Sequence, residues 1–175
     1  MKITTPKGIF IIREAVADDI PQLVDVHVAS WNATYFWHFP KPTPEIRTQG
    51  WEKNFKERPD GWFCFIAQKE NGEVAGFATG TSFKDNELKY DAQLNKIHFL
   101  KQYHRLGLGR ILVGEVVKRF LSMGFHSMLL FTDPRNDNIR FYEVLQGQRI
   151  LNKDGKFHGT YGWKDLQVLA NLCNK

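Results

Sequence analysis

Tyr103-His104-Arg105-Leu106-Gly107-Leu108-Gly109-Arg110 sets two glycines one residue apart at the junction of a β-type run and a long amphipathic run. No other segment constrains the fold as tightly. Upstream, Leu94–Leu100 reads as a strand. Downstream, Leu108, Leu112, Val116 and Phe120 step by four, and Ile111, Val113, Val117 and Leu121 widen the stripe into the buried face of a helix. Gly124 is a natural C-cap, and Ser127–Thr132 (SMLLFT) then reads as a buried strand. Strand, tight loop, helix and returning strand make a parallel crossover, for which the right-handed form is the rule. The chain is therefore of mixed α/β class.

The loop also has chemistry. Gly107 and Gly109 let the backbone turn sharply and approach a ligand with no Cβ between. The helix behind them offers free N–H groups and the positive end of its dipole, which suit a phosphate. Lys101, Arg105 and Arg110 add charge at the same point. Two familiar phosphate loops fail on spacing. Gly109 has Gly114 five residues on, but Glu115 stands where a P-loop needs lysine. A dinucleotide fingerprint needs a third glycine where Leu112 lies. Taken alone, Gly-x-Gly is equally compatible with a plain structural turn.

The remaining elements follow from local signals. Residues 1–8 read as a loose lead, and Ile9–Arg13 as a first strand. Asp18 is placed to cap a helix with Pro21 in its first turn, ending near Trp31. A proline- and aromatic-rich stretch follows to Pro44, then a helix over 44–57. Trp62–Gln68 and Glu73–Gly80 flank Lys69-Glu70-Asn71-Gly72, a hairpin in which Asn-Gly accepts positive φ at both turn positions. A short helix over Asn136–Leu145 and strands over 148–151 and 158–164 complete the chain.

Composition trims the functional classes. With 175 residues and 42% hydrophobic content, the chain suits one folded domain over residues 1–175. Neither a membrane helix nor a signal-peptide h-region stands out, so a cytoplasmic protein is the expectation. Cys64 and Cys173 form no CxxC or metal spacing, which argues against a disulfide framework or structural zinc; no metal is expected. The formal charge of +5 could serve nucleic acid, but the basic residues alternate with acids and no RNP-like motif occurs. Neither a nucleic-acid nor a membrane partner is expected.

Four segments together resemble the GCN5-related N-acetyltransferases (GNAT). Tyr103–Arg110 with Ile111-Leu112-Val113 resembles the family's motif A, Gln/Arg-x-x-Gly-x-Gly/Ala. Asn136-Asp137-Asn138-Ile139-Arg140-Phe141-Tyr142-Glu143 is similar to its Asn-x-x-x-Arg-Phe-Tyr-Glu segment. Tyr161-Gly162-Trp163-Lys164-Asp165-Leu166 looks like the closing strand of bacterial members. Ile12-Arg13-Glu14-Ala15 and Ser30-Trp31-Asn32-Ala33-Thr34-Tyr35 match at the front. The resemblance spans roughly residues 9–166. It implies a central mixed sheet of about six or seven strands flanked by helices and splayed between the fourth and fifth strands. It also implies acetyl-CoA as co-substrate, a small-molecule or peptide amine as acceptor, and the pairing into homodimers common in that family.

Carried over residue by residue, the backbone of Phe99, Leu100 and Lys101 would bond the pantetheine arm. The amides and side chains of His104, Arg105, Leu106, Gly107, Leu108, Gly109 and Arg110 would hold the pyrophosphate, and Asn136 would touch the cofactor. Tyr142 matches the usual general acid. A phenol of pKa ~10 can protonate a thiolate whose conjugate acid is near ~8.5 only with electrostatic help or concerted timing. Many relatives carry a glutamate base where this chain has Gln93; an amide cannot take that role, which leaves His98, Asp91 or Glu87 through water, or a backbone carbonyl with ordered water if the amine arrives partly neutral. His104 stands where motif A usually starts with Gln or Arg. Trp31, Tyr35 and Gln93 fall on the acceptor side, where aromatic faces can attract an ammonium. A CoA-binding sensor without transferase activity is the alternative.

Overall fold

The computed structural model describes residues 1–85 and 87–174. Eight strands form one sheet in the order β1-β2-β3-β4-β5-β6-β8-β7. They are β1 (Lys2–Thr5), β2 (Gly8–Glu14), β3 (Phe63–Lys69), β4 (Val74–Ser82), β5 (Ala92–Phe99), β6 (Met128–Phe131), β7 (Gln148–Leu151) and β8 (Phe157–Trp163). Five helices cover it: α1 (Ile20–Thr34), α2 (Pro44–Glu57), α3 (Leu108–Ser122), α4 (Ile139–Val144) and α5 (Leu166–Cys173). The central strands β3 and β4 are apolar on both faces because both faces are covered. One core joins the sheet to α3 and α5, and the other joins it to α1 and α2.

Several boundaries depart from the sequence expectations, each for a visible reason. The expected loose lead is strand β1, paired antiparallel with β2 from Lys2↔Ile11 to Thr5↔Gly8, so the sheet has eight strands. Its residues alternate exposed and half-buried, too weak a pattern to read over four positions. Asp19 rather than Asp18 stands at the N-cap position of α1, and its side chain bonds residues before the helix instead of the helix amides. The Asp19 carboxylate accepts from Val16 N–H at 2.8 Å and from Nη1 and Nη2 of Arg13 at 2.7 Å each. The helix runs one turn past Trp31, to Thr34. In the β3–β4 hairpin only Gly72 has positive φ, at 91°. Asn71 instead uses its side-chain oxygen to accept from Glu73 N–H at 3.2 Å. Helix α5 was not anticipated; Asp165 caps it, accepting from the amides of Gln167 and Val168.

Two irregularities in β5 position the site. Its register against β4 slips by one residue at Asn95, because Thr79 pairs with Lys96 while Gly80 pairs with Leu94. Such a bulge reverses which side chains face which side of the sheet. Ala92 and Leu94 pack toward α3, as do Ile97 and Phe99 beyond the bulge, whereas His98 turns to α1. The second irregularity is at the other edge. β5 and β6 run parallel and pair only at Ala92↔Met128 and Gln93↔Leu129. Beyond Gln93 the two strands part, as the sheet was expected to do between its fourth and fifth strands.

Candidate active site

The gap between β5 and β6 opens into a cavity of about 440 Å³. Its walls are Leu94–Phe99 of β5, Leu130 and Phe131 of β6, the loop before α3, the inner side of α4, and Ser30, Thr34 and Tyr35 at the end of α1. One end meets the N-terminus of α3. There Gly107 has φ 80°, a conformation that favours glycine, and a Cβ built on it would touch nothing within 4 Å. Glycine is therefore required by the turn, and the space beside it is open. The first hydrogen bond of α3 runs from Ile111 N–H to Gly107 C=O at 3.2 Å. Among the described residues, the amides of Arg105 through Arg110 donate to no backbone or side-chain acceptor. Six free N–H groups at a helix start, with Arg105 and Arg110 on the wall, make a phosphate-sized anion cradle.

The charges on the wall agree with that. Lys96, Arg105, Arg110 and Arg140 are opposed by one carboxylate, Asp137. The edge of β5 supplies the extended part of the site. Leu100 N–H bonds Ala75 C=O in β4 at 2.9 Å, so by the alternation of an antiparallel ladder Ile97 and Phe99 turn their own peptide groups toward the gap. A linear polar chain could add to those groups as a strand adds to a sheet edge.

Tyr142 lies midway, on α4, 7% exposed, its ring 5.6 Å from that of Tyr161. Burial, and then the neighbouring phenols of Tyr35 and Tyr161, push its pKa up, so the hydroxyl keeps its proton at neutral pH. At the α1 end, His98 Nδ1 lies 3.0 Å from Ser30 Oγ, and its ring packs 4.9 Å from His27 and 5.5 Å from Phe77. Burial, followed by the charges of Arg47 and Lys96, lowers the His98 pKa to about 3. His98 is thus neutral across the physiological range.

The structure gathers most of the sequence candidates and disperses some. His98, Phe99, His104, Arg105, Gly107, Leu108, Gly109, Arg110, Asn136, Tyr142 and Tyr35 line the cavity. Leu100, Lys101 and Leu106 do not. Leu100 has its amide committed to β4, the Lys101 side chain is exposed, and Leu106 packs on the core. Gln93 sits where β5 and β6 are still paired. Trp31 lies outside the cavity lining and packs against Tyr35, tilted at 5.3 Å, and against His38, edge to face at 5.2 Å. His104 donates no proton toward the cradle through Nε2, which instead meets Phe99 C=O at 3.1 Å.

Asp91 is a structural residue, accepting from the amides of His126 and Ser127 and from Ser127 Oγ. Glu87 pairs on the surface with Lys153 at 3.0 Å. Asn136 is buried and tied to Thr132 Oγ1 at 3.0 Å, to Tyr35 Oη at 3.4 Å and to Asn138 N–H at 2.9 Å. It joins the end of β6 to the end of α1 across the site. Ser30, Lys96, Thr132 and Arg140 were missed. The helical period does place Ser30 three residues from His27, but nothing local marks either as facing a strand.

Comparison with known proteins agrees with this fold. Residues 25–147 match the model of the acetyltransferase (GNAT) family. The uncharacterized N-acetyltransferase YuaI of Bacillus subtilis (strain 168) is 32% identical over 176 residues, covering 94% of this chain and 98% of YuaI. Among solved structures, the PaiA N-acetyltransferase of Thermoplasma acidophilum, in complex with coenzyme A, superposes with a TM-score of 0.69 at 17% identity, over 89% of this chain and 98% of its own. The yncA protein of Salmonella typhimurium, solved with acetyl-CoA, gives 0.67 at 18% identity, over 89% and 93%.

Proposed function

This chain belongs to the GNAT acetyltransferase family, and from that membership we propose that it transfers the acetyl group of acetyl-CoA directly to an amine, with Tyr142 as the general acid. One observation carries the reading. The free amides at the start of α3, an open strand edge and a protonated phenol line one continuous cavity in that order. The free amides of Arg105–Arg110, with the two arginine side chains, suit the pyrophosphate. The outward peptide groups of Ile97 and the N–H of Phe99 suit the amide-bearing pantetheine arm. An arm laid along β5 would bring the thioester to the part of the cavity shared by Tyr142, Ser30 and His98.

In the transfer, the amine nitrogen forms its bond to the acetyl carbon and the carbon–sulfur bond breaks. The departing sulfur takes the Tyr142 proton, the proton lost by the amine passes to solvent, and the phenolate is re-protonated. An imidazole whose pKa is about 3 is a weak base, so His98 is assigned to positioning Ser30 rather than to abstracting a proton. The base's task falls to the local potential. Lys96 beside the acceptor end, with Arg47 behind it, disfavours an ammonium and holds the amine neutral.

The test is Tyr142→Phe. We expect kcat for acetyl transfer to fall about 10²-fold or more, with the CoA affinity measured by calorimetry nearly unchanged. Equal turnover in the variant would remove Tyr142 from the mechanism.

A further inference from the structure

Between the sheet and helices α1 and α2 lies a group of cations with no counter-ion. The register sets Cys64, Thr79 and Lys96 side by side across β3, β4 and β5, with Ile66, Phe77 and His98 as the next row. Cys64, Ile66 and Phe77 belong to the core shared with α1 and α2, which fixes the face. Over these rows stand His27 and Trp31 of α1 and Arg47 and Trp51 of α2. The Arg47 guanidinium lies 5.7 Å over the Trp31 ring, and His27 is 5.9 Å from Trp51. Lys96 reaches only Asn95 Oδ1, at 2.6 Å. Among the described residues no carboxylate pairs with Lys96 or Arg47. Burial lowers the pKa of both, and the groups that act further on Lys96 are Arg47 and Cys64. The site is also short of acceptors. Arg47 Nε and Trp51 Nε1 are buried donors without a protein partner, and Thr79 Oγ1, in the same row as Lys96, is buried with none. Lys96, Ser30 and His98 connect this region to the cavity.

Half-buried cations without a counter-charge and fully buried donors without a partner, as Lys96, Arg47 Nε and Trp51 Nε1 are here, cost free energy that a ligand can offset. We propose that the acetyl acceptor carries an anionic group, a carboxylate or a phosphate, besides its amine, and that Lys96 and Arg47 receive it. The inference rests on the transferase reading above and narrows its acceptor. A polycationic acceptor is disfavoured by the same residues, because two like charges would meet it with no acid to compensate. The positive potential that would hold the anion also favours the neutral amine, so binding and deprotonation are served together.

The experiment compares kcat/KM for acetyl transfer within matched sets: a free α-amino acid, its carboxamide and its decarboxylated amine, and an aminoalkyl phosphate with its amino alcohol. The expected result is a preference of about tenfold or more for one anionic member over its neutral partners, the two sets distinguishing carboxylate from phosphate. Lys96→Met and Arg47→Gln should each erase most of that preference while CoA binding, followed by calorimetry, is retained. As a check independent of turnover, the preferred anionic acceptor should raise the melting temperature of the parent protein and not that of Lys96→Met. Equal or better transfer to neutral or cationic amines, or a preference that survives both substitutions, overturns the inference and leaves the transferase reading intact. Transfer to no amine in either set, despite CoA binding, removes both.

Discussion

At the scale of single residues, His27 and His98 show how the site is tuned by what surrounds it. Both are ordinary imidazoles in sequence. In the fold their tilted rings pack 4.9 Å apart near two cations, and His27 has its pKa lowered to about 2, chiefly by burial, then by His98, Arg47 and Lys96. The sign of the stability effect follows. Unfolded, His27 takes up its proton as the pH falls through its ordinary value of 6.5; folded, it does not until far lower. Stability from this group is complete above that value and declines by about 1.4 kcal/mol per pH unit below it. Urea midpoints should therefore drop steadily from pH 6.5 to 4.5, above the range where the depressed carboxylates of Asp19, Asp91 and Asp133 titrate. A His27→Gln variant should show a flatter profile, and the same slope in that variant would refute the assignment. Tyr142, Gly107 and Asn136 were legible as site candidates because their motifs are contiguous. Lys96 and Ser30 were not, since each acquires its neighbours only through sheet register and helix packing.

At the scale of elements, the bulge at Asn95 and the parting of β5 from β6 make the site. A bulge adds one residue to one strand and leaves no mark in composition, so the reversal of faces that carries His98 toward α1 was hidden in the sequence. The parting of the strands is held from the far side. Thr132 N–H donates to Gly159 C=O at 2.9 Å, and Gly159 has φ 92° with the carbonyl oxygen of Thr132 only 1.8 Å from where a Cβ would lie. Thr132 in turn anchors Asn136 and Tyr35. Gly159→Ala should cost roughly 2–4 kcal/mol from strained φ and overpacking together. An unchanged urea midpoint would show that this contact gives way freely. The helix expected over 44–57 has those ends in the fold, where Thr43 caps it and Pro44 opens its first turn.

For the whole molecule, the two cores differ in how they close. Helix α3 buries Leu108, Leu112, Val113, Val116, Val117 and Phe120 almost completely. α5 covers it, approaching so closely that a Cβ on Gly114 would come within 3.0 Å of Cys173 Cβ. A chain ending at Lys164 would lose Leu166, Leu169, Ala170 and Cys173 from that core. It should keep its far-UV circular dichroism yet lose the near-UV signal and bind ANS; a native near-UV spectrum would show α5 to be dispensable. The amino-acid sequence by itself determined the α/β class, the strand–glycine loop–helix unit and the family, because these depend on neighbours within a few residues: periodicity, caps, and a glycine at a positive φ. Only the tertiary structure decided that residues 2–5 complete the sheet, that β5 and β6 separate after two pairs, and that Lys96 and Arg47 meet without an acid. Those outcomes depend on register and on groups far apart in the chain, and a one-residue shift of a strand turns every side chain beyond it to the other face.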